Sequence, residues 1–515
     1  MTKMEFAKNA DAISRAEASG IILPLLLEIL NDLHRQGISY CYWKASRRVH
    51  LVLAGEGDLD LLIGRSDQHR VQALLLQRGL KLFPSVSGRD HPAVVSFLGL
   101  DEPSGRLVHV HLHFRLVTGE RLLKNYRVAW EDRLLAHATR HPSLPILILE
   151  PACEALLLMV RACLELRRSD PVTMRHWRAT LEKFALDREA LIPEVDEESL
   201  RERAAKLIGE GPNAEKLAVS LVDTFYDTDG FKIPASLRRQ VAAHFALQRS
   251  YNALEYRLRN LARTAFWLAG GLNKRLLHWP RPWNRRAPGG GCVVAMIGVD
   301  GSGKSTAVST MRSWLGAEID TMPIYFGTGD GRPSLLLWPL KLIMPVLQRS
   351  FKTKPKGSSH GNVSSRPPGL LYGLLLTGWA MVVAREKRIK LLSARRAANR
   401  GLVVLADRYP QDEILGFNDG PLLTRVSRAP AFLRRLEARA YALSRQLPPD
   451  LVIKLIVSPP TAKRREPSMD IEVIRDRVAS MERLAFPGAR VICVDAEQPL
   501  PVVIGKIKRE IWRQL

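Results

Sequence analysis

The stretch that decides the fold is Val293-Val-Ala-Met-Ile-Gly-Val-Asp-Gly-Ser-Gly-Lys-Ser-Thr306. Its first five residues are apolar or β-branched, a pattern typical of a buried strand. Residues 298–305 fit the pattern G-x-x-x-x-G-K-[ST], and a helix-compatible run continues through Leu315. A strand, a glycine-rich loop and a helix in this order predict a phosphate-binding site.

Each position of this loop has a chemical reason. Glycines allow backbone N–H groups to close around phosphate oxygens, and the N-terminus of the following helix adds a favourable dipole. Lys304 would place a cation on the β- and γ-phosphates of ATP, and the Ser305 hydroxyl would ligate Mg²⁺. The loop residues that we expect to contact the nucleotide are Gly298, Asp300, Gly301, Ser302, Gly303, Lys304, Ser305 and Thr306.

Short apolar runs follow the loop and alternate with long helical stretches. The runs are residues 402–405, 451–457 and 491–494. This alternation predicts an α/β fold in which helices flank a parallel sheet. Residues 352–368, rich in Lys, Ser, Gly and Pro, interrupt the alternation and read as a loop.

The run 401–406 is a second apolar strand, and it ends in Asp407 and Arg408. Ligands of open parallel sheets bind outside the carboxyl ends of the strands, where the glycine-rich loop also lies. We expect Asp407 to serve the magnesium shell or to orient an acceptor. We expect Arg408 to clamp an acceptor phosphate, because a guanidinium pairs with phosphate bidentately. A simple salt bridge at the strand end is the alternative.

A basic segment follows the strand at 451–457. It contains Lys463, Arg464 and Arg465, and a following helix carries Arg475 and Arg477. Phosphoryl transfer spreads negative charge over equatorial oxygens, which arginines closing over them would stabilise. The segment therefore predicts a basic lid, with a solvated helix face as the alternative.

These features together resemble thymidylate kinase and its nucleoside-monophosphate kinase relatives. Besides the glycine-rich loop, the resemblance rests on the triplet Asp407-Arg-Tyr409, on Pro449-Asp-Leu-Val-Ile before the basic segment, and on Val494-Asp-Ala. It covers roughly residues 292–515. The resemblance implies transfer of the γ-phosphoryl group of ATP to a monophosphate acceptor, most simply dTMP, with Mg²⁺.

The resemblance also implies roles for single residues. Asp300 would face the acceptor sugar, and Ser305 and Asp407 would serve the metal. The residues implied in catalysis are Lys304, Asp407, Arg408, Arg464 and Arg465. The loop lacks an arginine, so the chain is similar to the branch of the family whose lid supplies the basic groups.

The chain departs from this family at the acceptor. Residues 325–332 replace the usual Arg-Glu-Pro loop, and an apolar, basic insertion follows at 334–368. The chain also resembles divergent thymidylate kinase-like proteins associated with bacterial surface-polysaccharide loci, which implies a sugar or lipid-linked acceptor at the membrane surface. The apolar segments 334–347 and 369–384 favour that alternative. A nucleotide-sensing protein without turnover is the third alternative.

A second candidate site lies near the N-terminus. After Tyr42-Trp-Lys-Ala-Ser46 comes Asp58-Leu-Asp60, and the strand period of two places both carboxylates on one face. Such a pair can hold the divalent ions that align a nucleoside triphosphate. Roughly residues 24–135 resemble an uncharacterised bacterial branch of the nucleotidyltransferase fold, with His111 in place of the third carboxylate. A degenerate domain that binds without catalysis is the alternative.

His109, His111 and His113 alternate along one predicted strand. Imidazoles at this spacing are one way to bind a transition metal. Because the sequence alone reveals no second group of ligands beside them, hydrogen-bonded strand histidines are the preferred interpretation.

The chain of 515 residues is too long for one ordinary core. We expect a nucleotidyltransferase-like α+β domain at 1–145, a helical domain at 146–278, a Pro/Gly linker at 279–291 and the phosphate-loop domain at 292–515. The linker contains three prolines and a glycine triplet, which a helix does not accommodate.

Composition limits the partners and the compartment. The net charge of +25 indicates affinity for anions and leaves open a peripheral contact with an anionic membrane. No basic motif interleaved with aromatic residues is evident, so nucleic acid is not expected. The five cysteines form no CxxC pair, which fits a reducing cytoplasm. No signal-peptide pattern or apolar run of about 20 residues is present. Homodimerisation stays open.

Overall fold

The computed structural model describes residues 22–166, 171–277, 279–327, 370–414, 421, 423 and 430–515. The chain forms two compact units, Met1–Leu277 and His278–Leu515. We call them the N-terminal and the C-terminal unit. The predicted segments at 334–347 and 352–368 lie outside the described residues, as does most of the replaced acceptor loop at 325–332.

The N-terminal unit is built on a mixed sheet of seven strands. The strands described in the whole unit are β1 (Tyr40–Tyr42), β2 (Asp58–Ile63), β3 (Lys81–Leu82), β4 (Val94–Asp101), β5 (Arg106–His113), β6 (Leu116–Thr118), β7 (Tyr126–Val128), β8 (Ala138–Arg140) and β9 (Leu147–Leu149). The order across the sheet is β3-β4-β5-β2-β1-β9-β8, and β6 and β7 form a separate pair. The central neighbours β2 and β5 are parallel.

Helices cover this sheet and continue through the second half of the unit. The described α-helices are α1 (Pro24–Arg35), α2 (Val49–Leu53), α3 (Gln68–Gln77), α4 (Glu131–Ala136), α5 (Pro151–Glu165), α6 (Pro171–Leu191), α7 (Glu197–Ile208), α8 (Pro212–Tyr226), α9 (Ala235–His244) and α10 (Ala253–Leu272). One hydrophobic cluster joins Cys41 and Leu62 of the sheet to Leu156, Leu221 and Val241 of the helices. The predicted helical region therefore packs directly on the sheet.

The C-terminal unit has the predicted parallel sheet. Its five strands are β10 (Cys292–Gly298), β11 (Thr321–Tyr325), β12 (Val403–Asp407), β13 (Leu451–Ile456) and β14 (Arg490–Asp495). Their order is β11-β12-β10-β13-β14, and each neighbouring pair is parallel. The central strand β10 is buried along its whole length, because helices cover both faces of such a sheet.

The helices described in this unit are α11 (Lys304–Gly316), α12 (Leu370–Asn399), α13 (Ala431–Gln446), α14 (Pro459–Arg465), α15 (Ile471–Arg483) and α16 (Leu500–Gln514). One core cluster contains Ile297 of β10, Leu391 of α12, Val404 of β12 and Met481 of α15. No helix in the described part of the chain is long and apolar enough to cross a membrane.

Residues 279–291, the predicted linker, contain no α-helix and are fixed to the C-terminal unit. Asp320 accepts hydrogen bonds from the backbone of Trp283 at 2.7 Å and of Asn284 at 2.5 Å. Further on, the backbone N–H of Ala287 donates to Gly401 O at 3.0 Å. These bonds set the direction in which the chain enters β10.

Candidate phosphate-binding site

The glycine-rich loop connects the carboxyl end of β10 to the first turn of α11. Gly298 ends the strand, and Gly301 and Gly303 have φ angles of +80° and +90°. A side chain rarely adopts such angles, so the turn that brings the chain from the strand into the helix depends on glycine here. Ser302 is buried within the loop, whereas Thr306 lies exposed in the first turn of the helix. The predicted strand, loop and helix are therefore all in place.

Lys304 lies at the start of α11, with its ammonium group inside the loop. Nζ donates to the carbonyl oxygen of Val299 at 2.6 Å and is 3.8 Å from Oδ1 of Asp300. Burial lowers the pKa of Lys304 to about 8, although the charge of Asp300 opposes the shift. The loop therefore holds a buried cation at its centre, where a phosphate group would stabilise the charged form.

Asp407 and Ser305 meet at the mouth of the loop. Asp407 is the last residue of β12 and pairs in register with Met296 of β10. The Ser305 hydroxyl donates to Oδ2 of Asp407 at 3.0 Å. Among the described residues, nothing donates a hydrogen bond to Oδ1 of Asp407, although that oxygen is buried. A buried carboxylate oxygen without a donor suits a cation or an ordered water molecule.

Asp300 is the centre of a cluster of cations. Its Oδ1 accepts from Nη2 of Arg408 at 3.0 Å, and its Oδ2 accepts from Nη1 of Arg477 at 2.6 Å. Arg408 has a φ of +67°, a strained conformation for a long side chain that costs about 1–3 kcal/mol. Such strain is found at sites where a side chain must point in a set direction. The sequence predicts Arg477 on the helix that follows the basic segment, but it does not indicate that this arginine lies beside Asp300.

The basic segment on α14 reaches the loop through one of its two predicted arginines. Arg465 donates to Gly301 O at 3.4 Å and to Ala496 O at 3.1 Å. Arg464 donates to Thr461 Oγ1 at 3.2 Å, within the same helix. The helix itself approaches the loop closely, since a Cβ atom on Gly301 would lie 2.9 Å from Ala462 O. The structure thus brings Arg465 against the loop, whereas the described hydrogen bond of Arg464 stays within α14.

The predicted carboxylates of the N-terminal unit also lie together. Asp58 and Asp60 point from β2 to the same face of the sheet as the three histidines of β5. Nζ of Lys44 is 2.6 Å from Oδ1 of Asp60. Although burial alone would raise the pKa of Asp60, the charge of Lys44 is the largest effect that holds it well below the usual value. His111 lies directly beside Asp60 in the register of β2 and β5.

A parallel sheet with a phosphate-binding loop at the end of its central strand defines the C-terminal unit as a P-loop protein of kinase-like fold. The chain belongs to the family of the Uncharacterized ATP-binding protein YghS of Escherichia coli K12, to which it is 30% identical over 231 residues. This match covers 43% of the chain and 93% of YghS. No family model matches the chain.

The chain is also similar to a second ATP-binding protein and to solved structures of a kinase. The Uncharacterized ATP-binding protein YghR of E. coli K12 is 28% identical over 224 residues, which cover 42% of the chain and 86% of YghR. Deoxyadenosine kinase from M. mycoides with bound dATP matches 42% of the chain and 98% of its own length, at 14% identity and a TM-score of 0.24.

Proposed function

We propose that the C-terminal unit is an ATP-dependent phosphotransferase that transfers the γ-phosphoryl group of MgATP to a nucleoside monophosphate, most simply dTMP. The names of YghS and YghR as ATP-binding proteins support ATP as the donor. The loop around Lys304 offers backbone N–H groups and a buried ammonium group to the phosphates. The resemblance to thymidylate kinase motivates the choice of acceptor.

The observation that carries this proposal is the contact between Ser305 and Asp407 at the mouth of the loop. A hydroxyl from the loop and a carboxylate from the neighbouring strand are the protein ligands that P-loop enzymes offer to Mg²⁺. The residues fit the ion, because Oδ1 of Asp407 is buried and receives no hydrogen bond from the described residues. Mg²⁺ held there would neutralise charge on the β- and γ-phosphates.

The other side of the site supplies positive charge to the acceptor and the transferring group. Arg408, the residue after β12, and Arg477 of α15 reach the same carboxylate, that of Asp300. Asp300 orients both guanidinium groups towards the loop, where they would pair with phosphate oxygens. Arg465, which contacts Gly301 O, is the lid residue that we assign to the same task. Asp300 itself would face the acceptor sugar.

An acceptor screen with the full chain tests the function. ATP would be offered with dTMP, other nucleoside monophosphates and sugar phosphates, while a coupled assay measures ADP. We expect turnover with a nucleoside monophosphate. Turnover only with a sugar or a lipid-linked intermediate would replace the acceptor, and tight ATP binding without turnover on any acceptor would favour a nucleotide sensor.

Lys304→Met tests the site. The variant keeps the length of the side chain and removes the ammonium group, so we expect ATP binding and turnover to fall by at least about 100-fold. Lys506→Met is the matched control, because Lys506 is an exposed lysine on α16 whose Nζ donates only to Cys493 O at 3.2 Å among the contacts described. Undiminished activity in Lys304→Met would refute the site.

A further inference from the structure

The face shared by β2 and β5 carries more than the carboxylate pair. The two strands are parallel and in register, so that Asp58 lies beside His109, Asp60 beside His111 and Leu62 beside His113. Side chains two residues apart point to the same face of a sheet. Two carboxylates and three imidazoles therefore occupy one side of two adjacent strands.

These side chains form two overlapping groups of three. In the first, Asp58, His109 and His111 each place one oxygen or nitrogen within 4.8 Å of the others, and in the second Asp60, His111 and His113 do the same. The distance from His109 Nδ1 to Asp58 Oδ1 is 2.7 Å, and from His111 Nδ1 to Asp58 Oδ2 it is 3.8 Å. With bonds of about 2.0–2.2 Å, a tetrahedral Zn²⁺ ion separates its ligand atoms by about 3.3–3.6 Å, which lies between these two distances.

The two groups of three differ in the charge beside them and in their exposure to solvent. Nζ of Lys44 is 2.6 Å from Oδ1 of Asp60, so an ammonium group already neutralises the second carboxylate and would repel a metal cation. Asp58, by contrast, has a side chain that is 42% exposed, next to a His109 that is only 4% exposed. The first group therefore combines a buried anchor with an open side through which an ion can enter.

The kind of ligand selects the kind of metal. Mg²⁺ takes oxygen ligands, whereas imidazole suits Zn²⁺ and other transition metals. We propose that Asp58, His109 and His111 form a transition-metal site of the Zn²⁺ class, with the remaining coordination position open to solvent or to a ligand oxygen. His109 Nδ1 is now hydrogen-bonded to Asp58 and His111 Nδ1 to Asp60, and the protons of these two bonds would leave as the metal binds. The site belongs to the N-terminal unit, whereas the proposed kinase site belongs to the C-terminal unit.

Metal titration of the full chain tests this site. Chelator-treated protein would be titrated with Zn²⁺ alone by calorimetry and, separately, with Co²⁺ while its visible absorption is recorded. We expect about one tight Zn²⁺ site per chain and a Co²⁺ spectrum altered by nitrogen ligands. Asp58→Asn and His111→Ala should each weaken Zn²⁺ binding by at least about tenfold.

Two control variants distinguish the proposed ligands from other histidines of the chain. His69→Ala removes an exposed histidine from α3 and should leave the Zn²⁺ affinity unchanged. His113→Asn should also leave it nearly unchanged, because His113 belongs only to the second group. Circular dichroism without metal checks that each variant folds. We expect Asp58→Asn to fold, because the side chain that it alters is partly exposed. Absence of Zn²⁺ binding, equal binding by Asp58→Asn and wild type, or a preference for Mg²⁺ would overturn the proposal.

Discussion

Arg477 and Asp300 are 177 residues apart in the sequence, yet Nη1 of the arginine donates to Oδ2 of the carboxylate at 2.6 Å. Arg408 occupies the other oxygen of the same carboxylate at 3.0 Å. One acid inside the glycine-rich loop thus holds two guanidinium groups from different elements at the place where phosphates would bind. A carboxylate of the loop therefore holds part of the positive charge at this site in place.

The variant Asp300→Asn should therefore disturb the reaction more than the binding of ATP. The neutral amide would no longer hold Arg408 and Arg477 by charge, and a hydrogen bond to a charged group is worth about 1.5–3 kcal/mol. We expect kcat to fall by about 10- to 100-fold, with a smaller change in the KM for ATP. Steady-state kinetics with the best acceptor of the screen measures both constants.

The control for this variant lies on the same helix as Arg477. Glu472 makes an exposed ion pair with Arg475 at 2.6 Å, and Glu472→Gln removes that pair alone. Its kinetic constants should equal those of the wild type. An unchanged kcat in Asp300→Asn would mean that the arginines do not depend on this carboxylate for their position.

Much of this half of the molecule was predictable, because its signals are local. The strand, loop and helix around Lys304 follow from a spacing of glycines within a few residues, and the apolar run before Asp407 identified the neighbouring strand β12. Parallel pairing of these strands follows from the helices between them. Such patterns involve residues that are close together in the sequence, so the sequence alone reveals them.

The contacts between distant segments were not predictable in the same way. Nothing in the spacing of Arg464, Arg465 and Arg477 indicates which of them reaches the loop, since each is one arginine on a basic helix. Likewise, the histidines of β5 appeared to lack a second group of ligands, because Asp58 lies 51 residues before its partner His109. Only the register of two parallel strands brings them together.

Asp407→Asn tests the metal assignment at the kinase site. The variant keeps an oxygen that can accept from Ser305 but loses the negative charge that would hold Mg²⁺. We expect the Mg²⁺ concentration for half-maximal activity to rise by at least about tenfold, measured at fixed ATP. Asp412→Asn is the control, because Asp412 pairs with Arg445 at 2.6 Å outside the loop. A Mg²⁺ requirement unchanged from the wild type would exclude Asp407 as a ligand.

Gly301→Ala tests how closely α14 must approach the loop. A Cβ atom there would lie 2.9 Å from Ala462 O and 3.3 Å from Cβ of Arg465, and the φ of +80° adds backbone strain. We expect a loss of about 1–3 kcal/mol in the free energy of unfolding, together with weaker ATP binding. Chemical unfolding and calorimetric titration measure the two effects.

Gly505→Ala provides the opposite expectation. Gly505 lies within α16, and a Cβ atom there would meet nothing within 4 Å. Alanine should leave ATP binding unchanged and stabilise the helix by up to about 1 kcal/mol. If the two alanine variants behaved alike, the close packing of α14 on the loop would not be the reason for a glycine at 301.

The N-terminal unit should lose stability as the pH rises towards neutrality, because of one buried acid. Glu154 lies on α5 and its Oε1 accepts from the backbone N–H of Ser46 at 2.9 Å. Burial raises the pKa of Glu154 from 4.5 to about 7. Between pH 4.5 and about pH 7 the folded state therefore binds more protons at this site than the unfolded state does. Stability therefore falls across the window, by up to about 3 kcal/mol at this site.

Glu154→Gln should remove that part of the pH dependence. Glutamine keeps the oxygen that accepts from Ser46 and has no proton to lose, so the variant should become more stable relative to the wild type as the pH is raised from 5 to 8. Differential scanning calorimetry of the full chain at several pH values measures the difference in Tm. Glu198→Gln, an exposed glutamate on α7, should instead track the wild type. If the Tm difference between Glu154→Gln and the wild type stayed constant over this range, Glu154 would be ionised to the same extent in the folded and unfolded states.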